Sequence, residues 1–435
     1  MSEQRSYDRS VELYRRAVEA IPGGSQTNSK RANAYAPGAY PIYAQKAEGA
    51  RVQDVDGNWY IDYVLGLGPI TLGYCYPEVD HAIRAQLEKG IIYGQLSPLE
   101  VEVAERVCNV VPCAEMVRFL KGGAEVTTAA ARLARTHTGR EMILNCGYRG
   151  WADTWFSQSA GIEKGVPECI GGLVDGWTRH DLESLQAKLE EHAGNVAMVS
   201  LDPATGGARV PDGYHQGVRD LCDEHDVLLM YDEIVTGFRM ANGGGQEYFG
   251  VTPDLACFAK GAANGMPLGI VCGRADVMRH AIEDTVISVT YGGEALSLAA
   301  GKAVMQVLQR EPVIETIWES GRRLMAGFEE LGEKHGVPLH CHGYEPMSSQ
   351  TIQYEDAELS RDVWTLLLQE MAARGVTLRR GGLLFITYSH RDAEVEETLE
   401  ALDGALAVIA EAVDEGNVKD LLRVEEVKES FRSFT

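Results

Sequence analysis

The sequence predicts an α/β protein, with a mostly parallel sheet in a large domain and a smaller α+β domain after it. The first observation is that short apolar runs alternate with amphipathic stretches between residues 100 and 300, a pattern typical of parallel strands connected by helices. The second is a change after residue 310, where long amphipathic segments flank short strand-like runs. A chain of 435 residues is also long enough for two cores.

The elements can be assigned in chain order. The strand-like runs of the large domain are MVRFLKGG, REMILNCGYRG, NVAMVSLDP, VLLMYDEI, LACFAKG and GIVCG, with helix-like VTTAAARLARTHTG and GYHQGVRDLCDEHD between them. In the small domain, VIETIWESGRRLMAGFEELGEKHG and VEETLEALDGALAVIAEAV predict helices, and SSQTIQY and LLFITYSH predict strands. The Asp-Gly pair within VQDVDGNWYIDY predicts a hairpin. We expect residues 1–54 to pack on the small domain, residues 55–310 to form the large domain, and residues 311–435 to form the small domain and end in a helix.

Composition excludes several classes of function. A net charge of −24 argues against nucleic acid or an anionic membrane as a partner. The charged, amphipathic N-terminal stretch leads us to expect no secretory signal, and the sequence contains no apolar run long enough to span a bilayer. Its nine cysteines are an odd number without a CxxC pair, which favours free thiols in a reducing cytoplasm. We therefore expect a cytoplasmic protein that acts on small molecules.

Three features lie where predicted strands end. KGGAEV places Gly122, Gly123 and Ala124 at a strand-to-helix junction, where backbone N–H groups and the helix dipole favour a phosphate. VLLMYDEI brings Asp232 to the end of one strand, and LACFAKG brings Lys260 to the end of the next. Ligands of open α/β sheets bind at this carboxyl edge, so we expect the three features to meet.

Together these groups point to pyridoxal 5′-phosphate (PLP). A lysine among apolar groups loses its proton more readily and can form a Schiff base with an aldehyde. A carboxylate keeps the pyridine nitrogen protonated, and the glycine junction suits the phosphate. A metal site would need His or acid clusters around Asp232, and a P-loop would need GxxxxGK[ST]. The sequence has neither pattern, and we expect no metal.

The segments IPGG, DVDGNWYIDY, EMVRFLKGGAEV, DEIVTGFR, FAKGAANGMPLG and YSHRDAEVEETL resemble class III aminotransferases of fold type I, especially the glutamate-1-semialdehyde 2,1-aminomutase-like members. The resemblance implies that Lys260 is the Schiff-base lysine, that Asp232 pairs with the pyridine nitrogen and that Ile234 packs beneath the ring. It also implies a stacking role for Tyr148 and a homodimer with shared active sites, in which Thr290 reaches the neighbouring subunit's phosphate. Taken alone, Tyr148 is also consistent with a core aromatic and Thr290 with a turn residue.

Departures from the family pattern bear on the reaction. The phosphate loop is Gly-Gly-Ala where relatives have Ser-Gly-Ser or Ser-Gly-Thr, so backbone N–H groups must carry more of the binding. Leu67 replaces a pocket tryptophan of the aminomutase, Gly382 replaces a pocket glutamate, and residues 151–180 form a shorter version of its gating loop. An aminomutase must retain its diamino intermediate, whereas a transaminase releases one product before it admits the next substrate. We therefore predict an aminotransferase with ping-pong kinetics.

Arginines are the predicted substrate contacts, because guanidinium groups bind carboxylates and phosphates bidentately. The candidates are Arg31, Arg149 (where the family has a histidine), Arg379 and Arg380, although arginine is also common on surfaces. The segments QTNSKR and GGEALSLAA resemble those of members that aminate sugars or other polyhydroxylated carbonyls. Two alternatives stay open: an aminomutase or racemase on the same scaffold, and a non-catalytic PLP-binding protein. The intact pair of Lys260 and Asp232 argues against the latter.

Overall fold

The computed structural model describes residues 5–32, 35–155 and 165–423. The strands are β1 (Ala44–Glu48), β2 (Arg51–Asp54), β3 (Trp59–Asp62), β4 (Met116–Leu120), β5 (Met142–Cys146), β6 (Val174–Asp175), β7 (Val196–Leu201), β8 (Leu228–Asp232), β9 (Leu255–Phe258), β10 (Gly269–Gly273), β11 (Leu339–His342), β12 (Met347–Ile352), β13 (Val376–Thr377) and β14 (Leu383–Phe385). The helices are α1 (Asp8–Ala20), α2 (Pro77–Leu87), α3 (Pro98–Val110), α4 (Gly123–Thr138), α5 (Glu168–Gly171), α6 (Leu182–Glu191), α7 (Tyr214–Glu224), α8 (Gly245–Phe249), α9 (Ala275–Met278), α10 (His280–Glu283), α11 (Ala295–Arg310), α12 (Val313–His335), α13 (Ala357–Ala373) and α14 (Asp392–Glu415).

The central sheet has seven strands in the order β4-β10-β9-β8-β7-β5-β6. β10 is antiparallel to both of its neighbours, whereas the other neighbouring pairs are parallel. This arrangement confirms the predicted mostly parallel sheet. It also places the carboxyl ends of β4, β5, β7, β8 and β9 at one edge.

Burial of the sheet on both faces explains why its strands read as continuous apolar runs. Every residue of β7 and β8 is buried. In β9, Leu255 and Cys257 pack in the core that contains α4, whereas Ala256 and Phe258 pack in the core that contains α11. Successive side chains of a strand point to opposite faces, so these two cores cover the sheet from both sides.

The chain after β10 and α11 builds a smaller α+β unit. Strands β11, β12 and β14 form an antiparallel sheet, and α12 and α13 pack on it while α14 packs against both helices. A separate four-stranded sheet has the order β1-β2-β3-β13. Its β2 and β3 form the predicted hairpin, and β13 joins β3 in parallel. The boundary expected at residue 54 therefore falls inside one sheet, because β2 ends there and pairs with β3 beyond it.

The predicted C-terminal helix falls largely outside the residues that the structure describes, which end at 423 with a short turn over Val418–Leu421 just before. Within the described residues, no helix has the length and apolar character needed to cross a membrane. All nine cysteines are free thiols.

Candidate active site

The candidate site lies at the carboxyl edge of the central sheet. Lys121 to Ala124 follow β4, Tyr148 and Arg149 follow β5, Asp202 follows β7, Asp232 ends β8, and Lys260 follows β9. Because Asp232 pairs with Cys257 across the parallel strands β8 and β9, it lies close to the turn that carries Lys260. The fold thus brings together residues that are far apart in the sequence.

Lys260 begins a short 3-10 turn, Lys260–Ala263, and its side chain is half-buried. Its φ of +38° lies in the left-handed region, which residues with a side chain rarely adopt. Asn264 fixes the end of this turn, since its Oδ1 accepts hydrogen bonds from the N–H groups of Thr71 at 3.0 Å and Leu72 at 2.9 Å. An unfavourable backbone conformation persists only where neighbouring contacts hold it in place. Here the hydrogen bonds of Asn264 hold the turn that contains Lys260.

Asp232 is a buried carboxyl group, only 5% exposed. Its Oδ1 accepts a hydrogen bond from the N–H of Ile234 at 3.0 Å, and its Oδ2 lies 3.5 Å from Nη1 of Arg149. Burial raises the pKa of Asp232 to about 7, while the charges of Arg149 and Lys260 oppose that rise. The charge of this carboxyl group therefore depends on the cations around it.

Arg149, a predicted substrate contact, is instead an internal cation that is only 1% exposed. Its Nε donates to Oγ of Ser200 and its Nη2 to the carbonyl of Cys146, both at 2.7 Å. Its Nη1 lies 3.0 Å from Oδ1 of Asp202 and 3.5 Å from Oδ2 of Asp232. Burial lowers the pKa of Arg149, but the two carboxylates produce a net rise. The expectation is therefore corrected: the guanidinium group binds the protein's own carboxylates.

The glycine cradle forms where α4 begins. A methyl group on Gly123 would lie 2.8 Å from Cδ1 of Ile234, and one on Gly150 would lie 2.6 Å from Cβ of Ala124. Gly150 also has a φ of +120°, which favours glycine. These close approaches bring the start of α4 into contact with the loops after β5 and β8, as a cradle for a bound phosphate requires.

The hydrogen bonding of Gly122 differs from the expectation. Its N–H donates to Oε2 of Glu125 at 3.0 Å, as does the N–H of Lys121 at 2.8 Å. This is one half of a capping box at the start of α4, because glycine has no side chain to make the other half. The protein itself thus uses this N–H group. The first-turn N–H groups that remain for a phosphate are those of Gly123 and Ala124, which have no partner within a helix.

Three other predicted residues lie on loops. Tyr148 is half-buried, and its carbonyl accepts from Nη1 of Arg149 at 2.9 Å. Thr290 is exposed in the turn before α11, as is its neighbour Tyr291. Arg31 is exposed after a short turn near the N-terminus. The structure thus places Tyr148 beside Arg149 and the other two predicted residues at the surface of the single chain.

The two arginines between β13 and β14 differ in their surroundings, although each is 8% exposed. Arg380 is bound to α13, where it donates to the carbonyl of Arg361 at 2.7 Å and to the hydroxyl of Thr365. Arg379 lies near Tyr35; burial raises the pKa of that tyrosine to about 12, and the charge of Arg379 opposes the rise.

Sequence reasoning missed Asp202, the second carboxylate on Arg149. It follows the buried strand β7 just as Asp232 ends β8, so the same carboxyl-edge rule could have identified it. Its Oδ2 lies 3.5 Å from Nη2 of Arg179. No motif marked Arg179, because only the tertiary fold brings it to this carboxylate.

Comparison with known proteins identifies the family. Residues 34–406 match the family Aminotransferase class-III. The chain is 35% identical over 428 residues to a glutamate-1-semialdehyde 2,1-aminomutase of Syntrophobacter fumaroxidans, covering 93% of this chain and 98% of that protein. It is 32% identical over 415 residues to a 3-aminobutyryl-CoA aminotransferase of Cloacimonas acidaminovorans, covering 94% and 99%. The FumI protein of Sphingopyxis sp. MTA144, solved in its PLP internal aldimine form, matches with a TM-score of 0.88 at 29% identity, covering 94% and 98%.

The described residues fit PLP at three points. Asp232 is a buried carboxyl group suited to a pyridine nitrogen, Lys260 is an amine in the turn after the adjacent strand, and the start of α4 offers N–H groups for a phosphate. The chain therefore belongs to the class III aminotransferase family of PLP-dependent fold type I enzymes, and PLP is its cofactor.

Proposed function

We propose that this protein is an aminotransferase that moves an amino group from an amino-acid donor to a keto or aldehyde acceptor by a ping-pong mechanism. The observation that carries the proposal is the meeting of Lys260 with the buried pair of Asp232 and Arg149 at one edge of the sheet. A lysine beside an ionisable carboxyl group supplies the two groups that PLP chemistry needs from a protein.

Each residue has a defined task. When bound, PLP supplies an electron sink that stabilises negative charge on the carbon beside the substrate nitrogen. Nζ of Lys260 would hold the cofactor covalently and serve as the base and acid for the proton on that carbon. Asp232 would pair with the ring nitrogen. The other cofactor contacts would come from Ile234 and Tyr148 on the ring and from Gly123 and Ala124 on the phosphate, with Gly122 as the turn that precedes them.

We propose that the turn between β13 and β14 faces the substrate, which would favour a transaminase over an aminomutase. The turn between β13 and β14 carries Arg379, Arg380, Gly381 and Gly382, so it offers positive charge and no carboxylate. Such a turn suits an anionic substrate and gives no acid to retain a diamine. Leu67, which lies in a short turn that contacts β14, would add an apolar side chain beside the substrate. Arg379 is the proposed carboxylate contact, and Arg31 is a second candidate.

An aminomutase is the second candidate function, because relatives at 35% and 33% identity carry the name glutamate-1-semialdehyde 2,1-aminomutase. Such an enzyme would rearrange one amino compound and would need no second substrate. A relative at 32% identity is named an aminotransferase of 3-aminobutyryl-CoA. For the acceptor, a sugar or another polyhydroxylated carbonyl is the class we propose to test first.

We further propose a homodimer in which Thr290 of the partner subunit contacts the phosphate. Thr290 is exposed, and its neighbour Tyr291 is 61% exposed. The carbonyl of Ile91 accepts a hydrogen bond from the N–H of Ala295 at 2.8 Å, which ties this turn to the exposed apolar segment at residues 91–96. In that segment Leu96 is 86% exposed. An apolar surface next to a predicted cofactor contact supports a subunit interface there.

The test is the visible spectrum of the purified holoenzyme with a panel of amines and no acceptor. The panel contains L-glutamate, L-alanine, β-alanine, 3-aminobutyrate and amino sugars. We expect one donor to bleach the band of bound PLP and a keto acid to restore it. A band that persists while the amine is isomerised would favour the aminomutase. Lys260→Ala should abolish the response, whereas Lys302→Ala on α11 should keep it, since Lys302 pairs with Glu102 instead.

A further inference from the structure

Four charged side chains lie in a row from the candidate cofactor site outward. Asp232 is 3.5 Å from Arg149, Arg149 is 3.0 Å from Asp202, and Asp202 is 3.5 Å from Arg179. The side chains of Asp232 and Arg149 are 5% and 0% exposed, whereas those of Asp202 and Arg179 are 21% and 29% exposed. The charges alternate in sign, and the buried end of the row is the carboxyl group that would face the ring nitrogen.

The hydrogen bonds of Arg149 fix its position firmly. Its Nε and Nη2 are held by Ser200 and by the carbonyl of Cys146, both at 2.7 Å. Because Nε and Nη2 are both occupied, the planar guanidinium group is fixed with Nη1 toward the two carboxylates. A lysine could supply the charge at this place but could not satisfy the same set of acceptors.

We propose that Arg149 is a positioning residue that keeps Asp232 ionised, so that the proton shared by Asp232 and the cofactor's ring nitrogen resides on the nitrogen. This inference rests on the proposed function, since it concerns the enzyme with PLP bound. A fixed positive charge on the far side of Asp232 favours the arrangement in which the proton is on the nitrogen. Without that charge, a desolvated acid and base favour their neutral forms, and the proton would move to the carboxyl group.

The other groups around Asp232 do not replace this cation. Asp202 is negative and raises the pKa of Asp232. The buried thiol of Cys257, opposite Asp232 in the sheet, has a pKa raised well above its usual value by burial and is neutral. Lys260 lowers the pKa of Asp232, but in the holoenzyme its amine is the group that holds the cofactor. Arg149 is therefore the cation on which the ionised carboxylate depends.

The experiment is 15N NMR of holoenzymes reconstituted with PLP that carries 15N at the ring nitrogen, at one neutral pH. We expect wild type and Arg149→Lys to give the resonance of a protonated nitrogen. Arg149→Met should shift that resonance toward the unprotonated position. Arg149→Gln, which keeps hydrogen-bond donors without the charge, should shift it in the same direction and replaces Arg149→Met if that variant does not fold.

Asp202→Asn separates this electrostatic role from a purely structural one. It removes a negative charge from the row, so we expect the nitrogen to stay protonated. If the substitutions simply disrupted the site, the ring-nitrogen resonances of Asp202→Asn and Arg149→Met would instead shift in the same direction. The proposal is overturned if both neutral Arg149 variants keep the protonated resonance, or if Asp202→Asn shifts as they do. If wild type gives no resonance of bound PLP, it is the proposed function that fails.

Discussion

The guanidinium of Arg149 lies 3.5 Å from the carboxylate of Asp232, and both groups are almost completely buried. Asp202, which follows the neighbouring strand β7, provides the second carboxylate at 3.0 Å. A charge at this depth is stable only while its partners stay ionised with it. The stability of the large domain and the electrostatics of the cofactor site therefore depend on the same side chains.

Arg149→Met should destabilise the cofactor-free protein by about 3–5 kcal/mol, the usual cost of leaving one partner of a buried ion pair alone. Adding Asp232→Asn to Arg149→Met should restore part of that loss at alkaline pH, where the carboxyl group of Asp232 would otherwise be ionised without its partner. Urea unfolding of the cofactor-free proteins measures both effects. If the double variant is no more stable than Arg149→Met alone, the two side chains are not energetically coupled.

The pH dependence of stability should carry the signature of Asp232. Its pKa is raised to about 7 in the folded protein, so its protonated form favours folding. Protonated Asp232 makes its full contribution to the free energy of unfolding below the ordinary carboxyl pKa, and this contribution is lost as the pH rises through 7. We expect cofactor-free wild type to lose up to about 4 kcal/mol relative to Asp232→Asn between pH of about 4 and about 8.

The difference between these two proteins is the quantity to measure, because other groups titrate over the same range. His390, whose pKa burial lowers to about 3, stabilises the fold as the pH rises and acts in the opposite sense. Its effect is common to both proteins and cancels in the difference. A difference that stays constant with pH would mean that Asp232 has an ordinary pKa.

Gly150→Ala should weaken PLP binding by about tenfold or more, since the added methyl group would push the loop after β5 away from the start of α4. A methyl there would lie 2.8 Å from the Cα of Ala124. Gly207→Ala is the matched control, because a methyl on Gly207 meets nothing within 4 Å. Titration of the cofactor-free proteins with PLP measures the affinity of each variant. Equal affinities for the two variants would contradict the proposed place of the phosphate.

Lys260→Ala and Thr290→Ala should complement each other if the active sites are shared between subunits. A heterodimer of Lys260→Ala and Thr290→Ala contains one site with an intact lysine from one subunit and an intact threonine from the other. We expect a co-expressed, doubly tagged preparation to be more active than either variant alone. Activity no greater than that of Thr290→Ala would show that Thr290 does not act across an interface.

The features that sequence reasoning could predict were those with a local or periodic signature. The fully buried strands β7 and β8 appear as continuous apolar runs, and the hairpin of β2 and β3 is marked by its Asp-Gly turn. Asp232 and Lys260 follow such runs, so their meeting at one edge follows from parallel pairing alone. The boundary expected at residue 54 falls beside the Asp-Gly turn of that same hairpin, whereas the pairing of β13 with β3 from more than 300 residues away had no local signature.

Side-chain partners could not be predicted in the same way. Arg149 is adjacent to Tyr148 in the sequence, but its burial depends on Ser200, Asp202 and Asp232, which come from two other strands. Whether an arginine faces a substrate or a carboxylate of the protein is decided by the tertiary fold. The use of the Gly122 N–H by Glu125 also lacked a full signature, because the capping-box pattern begins with Ser or Thr and here only its glutamate is present.

The most direct test of the proposed transaminase is borohydride reduction followed by peptide mass mapping, with and without the donor that bleaches the cofactor band. Without donor, we expect reduction to attach the cofactor to Lys260. After one donor half-reaction without acceptor, we expect Lys260 to be unmodified, because the amino group now resides on the cofactor. Labelling of Lys260 that is undiminished after the donor has been consumed would mean that the cofactor ends as it began, and that result would contradict the aminotransferase in favour of an isomerase.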